Sequence, residues 1–259
     1  MGKKISAILA ICILIWAEGA RSQKTKEFYQ VTVYHFTGPD QQTAIDTYLK
    51  DAYVPALHRR GIKNVGTFKP ITNDTAADKR IYVIIPLKSL EEMASLTSRL
   101  LEDQQYLQNG KSYLDAAYNN TAYLRMESII LQAFPLAPKM KLPKLTGPKQ
   151  DRIYELRSYE GPTEKLYRSK VEMFNQGGEI KLFERLNFNA VLYGEVLAGC
   201  RMPNLMYMTS FENREDREAH WKTFGQDPEW KRLSALPQYQ KNVSKSDIIL
   251  MQATDYSDY

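Results

Sequence analysis

The sequence predicts an α+β chain built twice from one unit of strand, helix, strand, strand, helix, strand. Three observations carry that expectation. The segment Phe28-Tyr29-Gln30-Val31-Thr32-Val33-Tyr34 returns as Ile153-Tyr154-Glu155-Leu156-Arg157-Ser158-Tyr159, pairing Tyr29 with Tyr154 and Tyr34 with Tyr159 at an offset of 125. Both halves follow this strand with the same succession of periodic segments. Between the halves, Pro135, Pro138, Pro143 and Pro148 alternate with Lys139, Lys141, Lys144 and Lys149, a composition that suits neither regular helix nor central strand.

Each element has its own signal. The two opening segments alternate apolar and polar residues and are rich in aromatic and β-branched types, as strands are. In the first half Ile45, Tyr48, Leu49, Ala52, Tyr53, Ala56 and Leu57 then recur at three- and four-residue spacing, so a helix is expected there, bent near its end by Pro55. Val171, Phe174, Leu182, Phe183 and Leu186 do the same in the second half, where Gly177-Gly178 should weaken or break the helix.

Paired strands follow at Val65–Phe68 with Arg80–Ile85, and at Val191–Gly194 with Leu205–Phe211, Tyr82 answering Tyr207. Ser89 with Glu92, and Asn213 with Asp216, are cap and third-turn-residue pairs that start the next helices. Here the offset is 124, and it carries Asp103 to Asp227 and Tyr106 to Trp230. Closing strands are expected at Ser128–Ala133 and Asp247–Gln252. This order is the ferredoxin-like unit. The expected divisions are 27–134 for the first unit, 135–150 for a solvated Pro/Lys-rich linker and 151–253 for the second unit, with a loose tail over 254–259.

The first 22 residues read as an export signal, with Lys3-Lys4, an apolar run from Ile5 to Trp16, then Ala20 and Ser22 at the cleavage site. That run is shorter than the roughly 20 residues a membrane-crossing helix needs, so no stable span is expected after cleavage. Periplasmic or secreted placement follows: the near-absence of cysteine suits a periplasm, and the sequons at Asn73, Asn119 and Asn242 would be used only in a eukaryotic secretory route. Only Cys200 would remain, so no intrachain disulfide is expected. The net charge of +5 falls to +3 once three cations and one anion leave with the signal, too mild a balance to imply nucleic-acid binding.

Arg152-Ile153-Tyr154-Glu155-Leu156-Arg157-Ser158-Tyr159 resembles the Y-E-L-R-x-Y opening of NIPSNAP domains. The run from Phe211 through Trp221 to Asp227-Pro228-Glu229-Trp230 is similar to that family's closing D-P-x-W pattern. The first half is a degenerate copy, with Gln30 for Glu, Thr32 for Arg and Gln104-Gln105-Tyr106 for P-x-W. The resemblance implies two tandem ferredoxin-like units whose sheets close an intrachain dimeric α/β-barrel.

Function is less legible. His35, His58 and His220 lack ligand spacing, so no metal is expected, and no phosphate-binding or dinucleotide-binding glycine loop and no nucleophile elbow is present, so no cofactor is expected. What stands out is polar aromatics on strands: Tyr154, Tyr159, Tyr193 and Tyr207 either line a cavity or pack a core with their hydroxyls at its rim. Glu155 and Arg157 share one strand face, and either orient a polar substrate or form a weak surface pair. Together with His35 these are the candidate ligand-binding residues. Asp227-Pro228-Glu229-Trp230 is read as a structural turn. Three functions stay open: a barrel that binds a small, largely apolar molecule; a cofactor-independent oxygenase or isomerase, as members of the dimeric α/β-barrel superfamily include, with Glu155 or His35 as general base; and a structural homo-oligomer.

Overall fold

The computed structural model describes residues 25–199 and 201–259, so the expected export signal and Cys200 lie outside the described residues. The first unit runs β1 (Phe28–Phe36), α1 (Pro39–Tyr48), α2 (Val54–Arg59), β2 (Gly66–Pro70), β3 (Lys79–Leu87), α3 (Leu90–Leu101), α4 (Gln104–Asn109), α5 (Lys111–Leu114) and β4 (Arg125–Ala133). The second runs β5 (Ile153–Glu160), α6 (Glu164–Phe174), α7 (Glu179–Arg185), β6 (Leu192–Ala198), β7 (Asn204–Phe211), α8 (Arg214–Gln226), α9 (Pro228–Ser234) and β8 (Lys245–Ala253).

The eight strands close a barrel in the order β1-β3-β2-β8-β5-β7-β6-β4, every neighbour antiparallel. Closure leaves no unpaired sheet edge, because β2 joins β8 and β4 joins β6 across the two units. Four steps round this ring carry each strand of one unit onto its counterpart in the same sense. The pseudo-two-fold axis therefore runs along the barrel.

Local chemistry explains the helix breaks. Pro55 has no N–H to give back along the helix, and the chain passes from α1 to α2 through a π-helical segment, Leu49–Tyr53, that absorbs the loss. Between α6 and α7 the backbone turns left-handed at Gly178, with φ of 96°, where a side chain would be strained. Ser89 accepts from the Glu92 amide at 3.2 Å and Asn213 from the Asp216 amide at 2.8 Å, while the Glu92 and Asp216 carboxylates reach back to the Lys88 and Glu212 amides. Asp227 accepts from the Glu229 and Trp230 amides and so starts α9 ahead of Pro228, and Trp230 packs on Phe224 at 4.5 Å.

Three apolar layers result. Helices α1–α5 cover the first sheet over Phe36, Ile45, Leu57 and Ile85, and α6–α9 cover the second over Phe174, Phe183, Phe188 and Phe211. The third layer fills the barrel, with Tyr29, Phe68, Tyr154, Met206, Met208 and Met251 meeting at its centre.

The tail expected to be loose and the start of the stretch expected to be a solvated linker are both docked. After β4 the chain hydrogen-bonds Phe134 to Tyr193 and Lys141 to Val191, and inserts Met140 into the barrel. After β8 it does the equivalent on the first unit, with Thr254 bonded to Thr67, Asp258 to Val65, and Tyr259 buried in the barrel against Phe68 and Tyr154. Residues 254–259 are thus a strap that secures one end of the barrel, and the start of the Pro/Lys-rich stretch is its counterpart. Exchange of arms between units buries side chains that neither unit could bury alone.

Candidate functional site

Strand parity decides where each candidate residue sits. Tyr154 faces the barrel interior with Tyr29 and Leu156. Glu155, Arg157 and Tyr159 occupy the opposite face, under helices α6 to α8, and Tyr193 and Tyr207 join them there. The reading in which Glu155 and Arg157 look into a barrel cavity is therefore corrected. The pairing of Tyr82 with Tyr207 is corrected too: Val33 faces Tyr82 across β1/β3 while its counterpart Ser158 faces Met206 across β5/β7, so Met206 is the equivalent of Tyr82.

Glu155 is wholly buried. Arg157 Nε donates to it at 2.5 Å, Arg217 Nε at 2.6 Å and Trp221 Nε1 at 2.9 Å, so each carboxylate oxygen is satisfied. The Arg157 guanidinium lies flat on the Trp221 ring at 3.7 Å and donates to the Tyr159 hydroxyl, which meets that of Tyr207 at 2.9 Å. Burial pushes the Tyr207 and Tyr193 phenols well above their ordinary range, so both stay protonated. Bonded to one another through both Glu155 oxygens, these groups pin α8 to β5 in the layer between sheet and helices.

The barrel interior offers little room. Its closed end is filled by Tyr29, Phe68, Tyr154 and the strap residue Tyr259, ring centroids 4.9 to 6.1 Å apart for the Phe68, Tyr154 and Tyr259 set. Glu27 lies at this end and accepts from the Met140 amide; burial nonetheless holds its carboxyl above the usual carboxylate range. The other end is open. A recess of about 50 Å³ enters between Tyr82, Met206 and Ile249, with Arg80, Glu127, Arg201 and Asp247 at its rim. It shares Arg80, Tyr82 and Ile249 with a surface cleft of about 530 Å³ between the β2–β3 loop and β8.

His35, one residue before the end of β1, lies behind the lining residues Asp78 and Glu127 and is about nine-tenths buried. Its Nδ1 sits 2.8 Å from Asp78 Oδ1, and its Nε2 sits 3.4 Å from Glu127 Oε1 without hydrogen-bond alignment. Arg80 in turn donates to Asp78 through Nε at 2.9 Å. Burial works against the Asp78 charge, but the bonds from His35 and Arg80 outweigh it and hold the carboxyl below its ordinary value. A carboxylate fixed on Nδ1 orients the imidazole and leaves Nε2 as the atom able to take or give a proton. Sequence reasoning singled out His35 but not Asp78, Arg80, Glu127 or Arg201, which come from loops and strand ends without motif spacing. Among the described residues no group of three or more His, Cys, Asp and Glu could hold a metal ion. No helix among them is long and apolar enough to cross a membrane.

Residues 154–258 match the NIPSNAP family model. The second unit is a NIPSNAP domain. Its family-like Glu155, Arg157 and Trp221 are the members of the buried network described above. Among solved structures, a provisionally assigned monooxygenase from Lactobacillus acidophilus NCFM is 11% identical, with 88% of this chain and 94% of that chain covered at a TM-score of 0.56. An anthrone oxidase-like protein is 8% identical over 90% and 93% of the two chains, TM-score 0.54. A NIPSNAP-like domain protein from Burkholderia xenovorans is 17% identical over 42% and 91%, TM-score 0.39. The two longer matches span both units of this chain, and at such identities the likeness is one of fold. No curated protein matched the chain.

Proposed function

We propose that the chain binds a small molecule at the open mouth of its barrel, and that His35 exchanges a proton with an O–H or acidic C–H group of that molecule. One observation carries the reading: Asp78 orients His35 through Nδ1, and the buried Nε2, 3.4 Å from the rim residue Glu127, has no aligned partner. The filled interior moves the expected ligand from the barrel centre to the mouth. At the rim Arg201 pairs with Asp247 and Arg80 with Asp78, Glu127 offers an acceptor, and Tyr82 and Met206 form an apolar wall; a small ring bearing polar groups would occupy the adjoining cleft of about 530 Å³ and reach the recess from there. The oxidase and monooxygenase names carried by two proteins of the same fold agree with proton abstraction as the step required of the protein, and supply nothing finer. Export to a periplasm or the cell exterior belongs to the same proposal and rests on residues 1–22 alone.

Native mass spectrometry of protein purified from its own source tests the reading. The expected result is a retained small molecule, lost on mild unfolding, whose affinity falls about tenfold or more in His35→Asn and Asp78→Ala. Glu155→Gln, remote from the mouth, should retain it wherever the variant stays folded. A ligand held equally by wild type and His35→Asn would remove His35 from the site, and a bare chain that also takes up nothing from a small-molecule screen would sink the proposal.

A further inference from the structure

A second cavity lies away from the barrel mouth, where the Pro/Lys-rich arm crosses the second unit. It holds about 230 Å³ and is walled by the arm on one side and by α7 and the start of β6 on the other. For comparison, an apolar cavity of about 150 Å³ takes up benzene, so this one has room for a ring with a substituent.

Its chemistry is uneven in a telling way. The wall is apolar at Leu142, Val191 and Leu192. Three lysines of the arm, Lys139, Lys141 and Lys144, surround it against a single carboxylate, Glu184. Lys141 reaches Glu184 at 3.6 Å, whereas Lys139 and Lys144 form no ion pair among the described residues. Tyr193 also lines the cavity, 3% exposed, and its hydroxyl is buried without a hydrogen-bond partner. Burial keeps this phenol protonated, and its oxygen is closed off from the cavity, so Tyr193 contributes ring surface to the wall. Water alone would match neither the apolar wall nor the surplus of cations.

We propose that this cavity is a binding site for a small organic anion with a flat apolar body, such as an aromatic carboxylate or sulfonate, its ring against Leu142, Val191 and Leu192 and its charge toward Lys139 and Lys144. The arm earns a role beyond connection, since it supplies both the wall and the charge. This inference does not depend on the reading of the barrel mouth, because it shares no residue with it.

The probe is naphthalene-2-sulfonate, with 2-naphthylmethanol as its neutral counterpart, titrated by NMR into the full chain. The sulfonate is expected to bind about tenfold more tightly than the alcohol and to weaken as salt is raised. Charge reversal at Lys139→Glu and Lys144→Glu together, on the exposed arm, should cost about tenfold or more. Filling the cavity with Leu142→Trp should abolish binding in a folded chain. Equal affinity for sulfonate and alcohol, indifference to the charge reversal, or no binding by the folded wild-type chain would each overturn the proposal.

Discussion

The two units cover equivalent sheet faces with helices by different chemistry. In the first, the layer is held by tyrosines: Tyr48 stacks on Tyr113 at 3.8 Å and shares a hydrogen bond with Tyr106, and Tyr34 meets Tyr113 and Tyr123 edge-on. In the second, the same level is held by Glu155 with Arg157, Arg217 and Trp221. The counterparts of those four residues in the first unit are Gln30, Thr32, Met93 and Thr97, of which Gln30 only reaches Ser128. A charge network and a stack of phenols can therefore fill the same place in one fold. They differ in how they fail. Neutral packing loses area gradually, whereas a buried ion network turns from asset to penalty when one member goes.

The largest expected effect tests that difference directly. Glu155→Ala leaves Arg157 and Arg217 without a counter-charge and should cost about 3–5 kcal/mol in chemical denaturation, whereas Gln30→Ala should stay within about 0.5 kcal/mol. Equal costs would dissolve the contrast between the units. Next come the exchanged arms. Tyr259→Ala opens space beside Phe68 and Tyr154 and should lose about 3–5 kcal/mol, and Met140→Ala about 2–4 kcal/mol. Wild-type stability in either variant would mean that its arm is not seated in solution.

A pH series sharpens the comparison further. The carboxyl of Asp103 is held low by the Tyr106 amide, and that of Asp227 by Arg185, each despite some burial. A lowered folded value means that the unfolded chain binds protons first, so the stabilisation is present above the ordinary aspartate range near pH 4 and is lost as pH falls through the lower folded value. Asp103→Asn and Asp227→Asn should each flatten the acid limb of the stability curve to a similar degree, since each carboxylate caps a helix and also bonds an arginine, Arg59 and Arg185 respectively. An acid limb untouched in both variants would assign the loss to other carboxylates. The smallest effect is a matched one, with Ser89→Ala and Asn213→Ala each costing about 1 kcal/mol, since both caps make one amide bond. A gap well beyond that figure would show that the two helix starts differ in more than their caps.

The sequence made the element order legible because both halves repeat it. It also exposed the caps at Ser89, Asn213 and Asp227, whose signals are local. What it concealed was which face each strand residue takes. Tyr82 and Tyr207 match by residue type at the offset of 125, but the offset has already slipped to 124 by β3, and a slip of one turns a side chain to the other side of the sheet. Alternation could not repair the error, since both faces of these strands are buried and both are apolar. Glu155 and Arg157 shared a face as expected, yet nothing in their spacing distinguishes barrel from helix layer. Met140 and Tyr259 escaped notice for another reason: each lies in an aperiodic stretch among other apolar or aromatic residues that stay outside the barrel, and is anchored by backbone bonds that leave no pattern. At the barrel mouth only His35 was rare enough to draw attention.

Because the pseudo-two-fold axis follows the barrel, every residue at the mouth has an opposite number: Glu127 faces Asp247, Tyr82 faces Met206, Val33 faces Ser158, Arg80 faces Asn204 and His35 faces Glu160. Two identical subunits closing such a barrel would be obliged to place two histidines or none at that rim. Covalent fusion lifts the obligation. Each half of the rim is free to accumulate its own substitutions, and a mouth with one imidazole, opposed by a carboxylate, becomes reachable by single changes that a symmetric assembly would have to accept in duplicate.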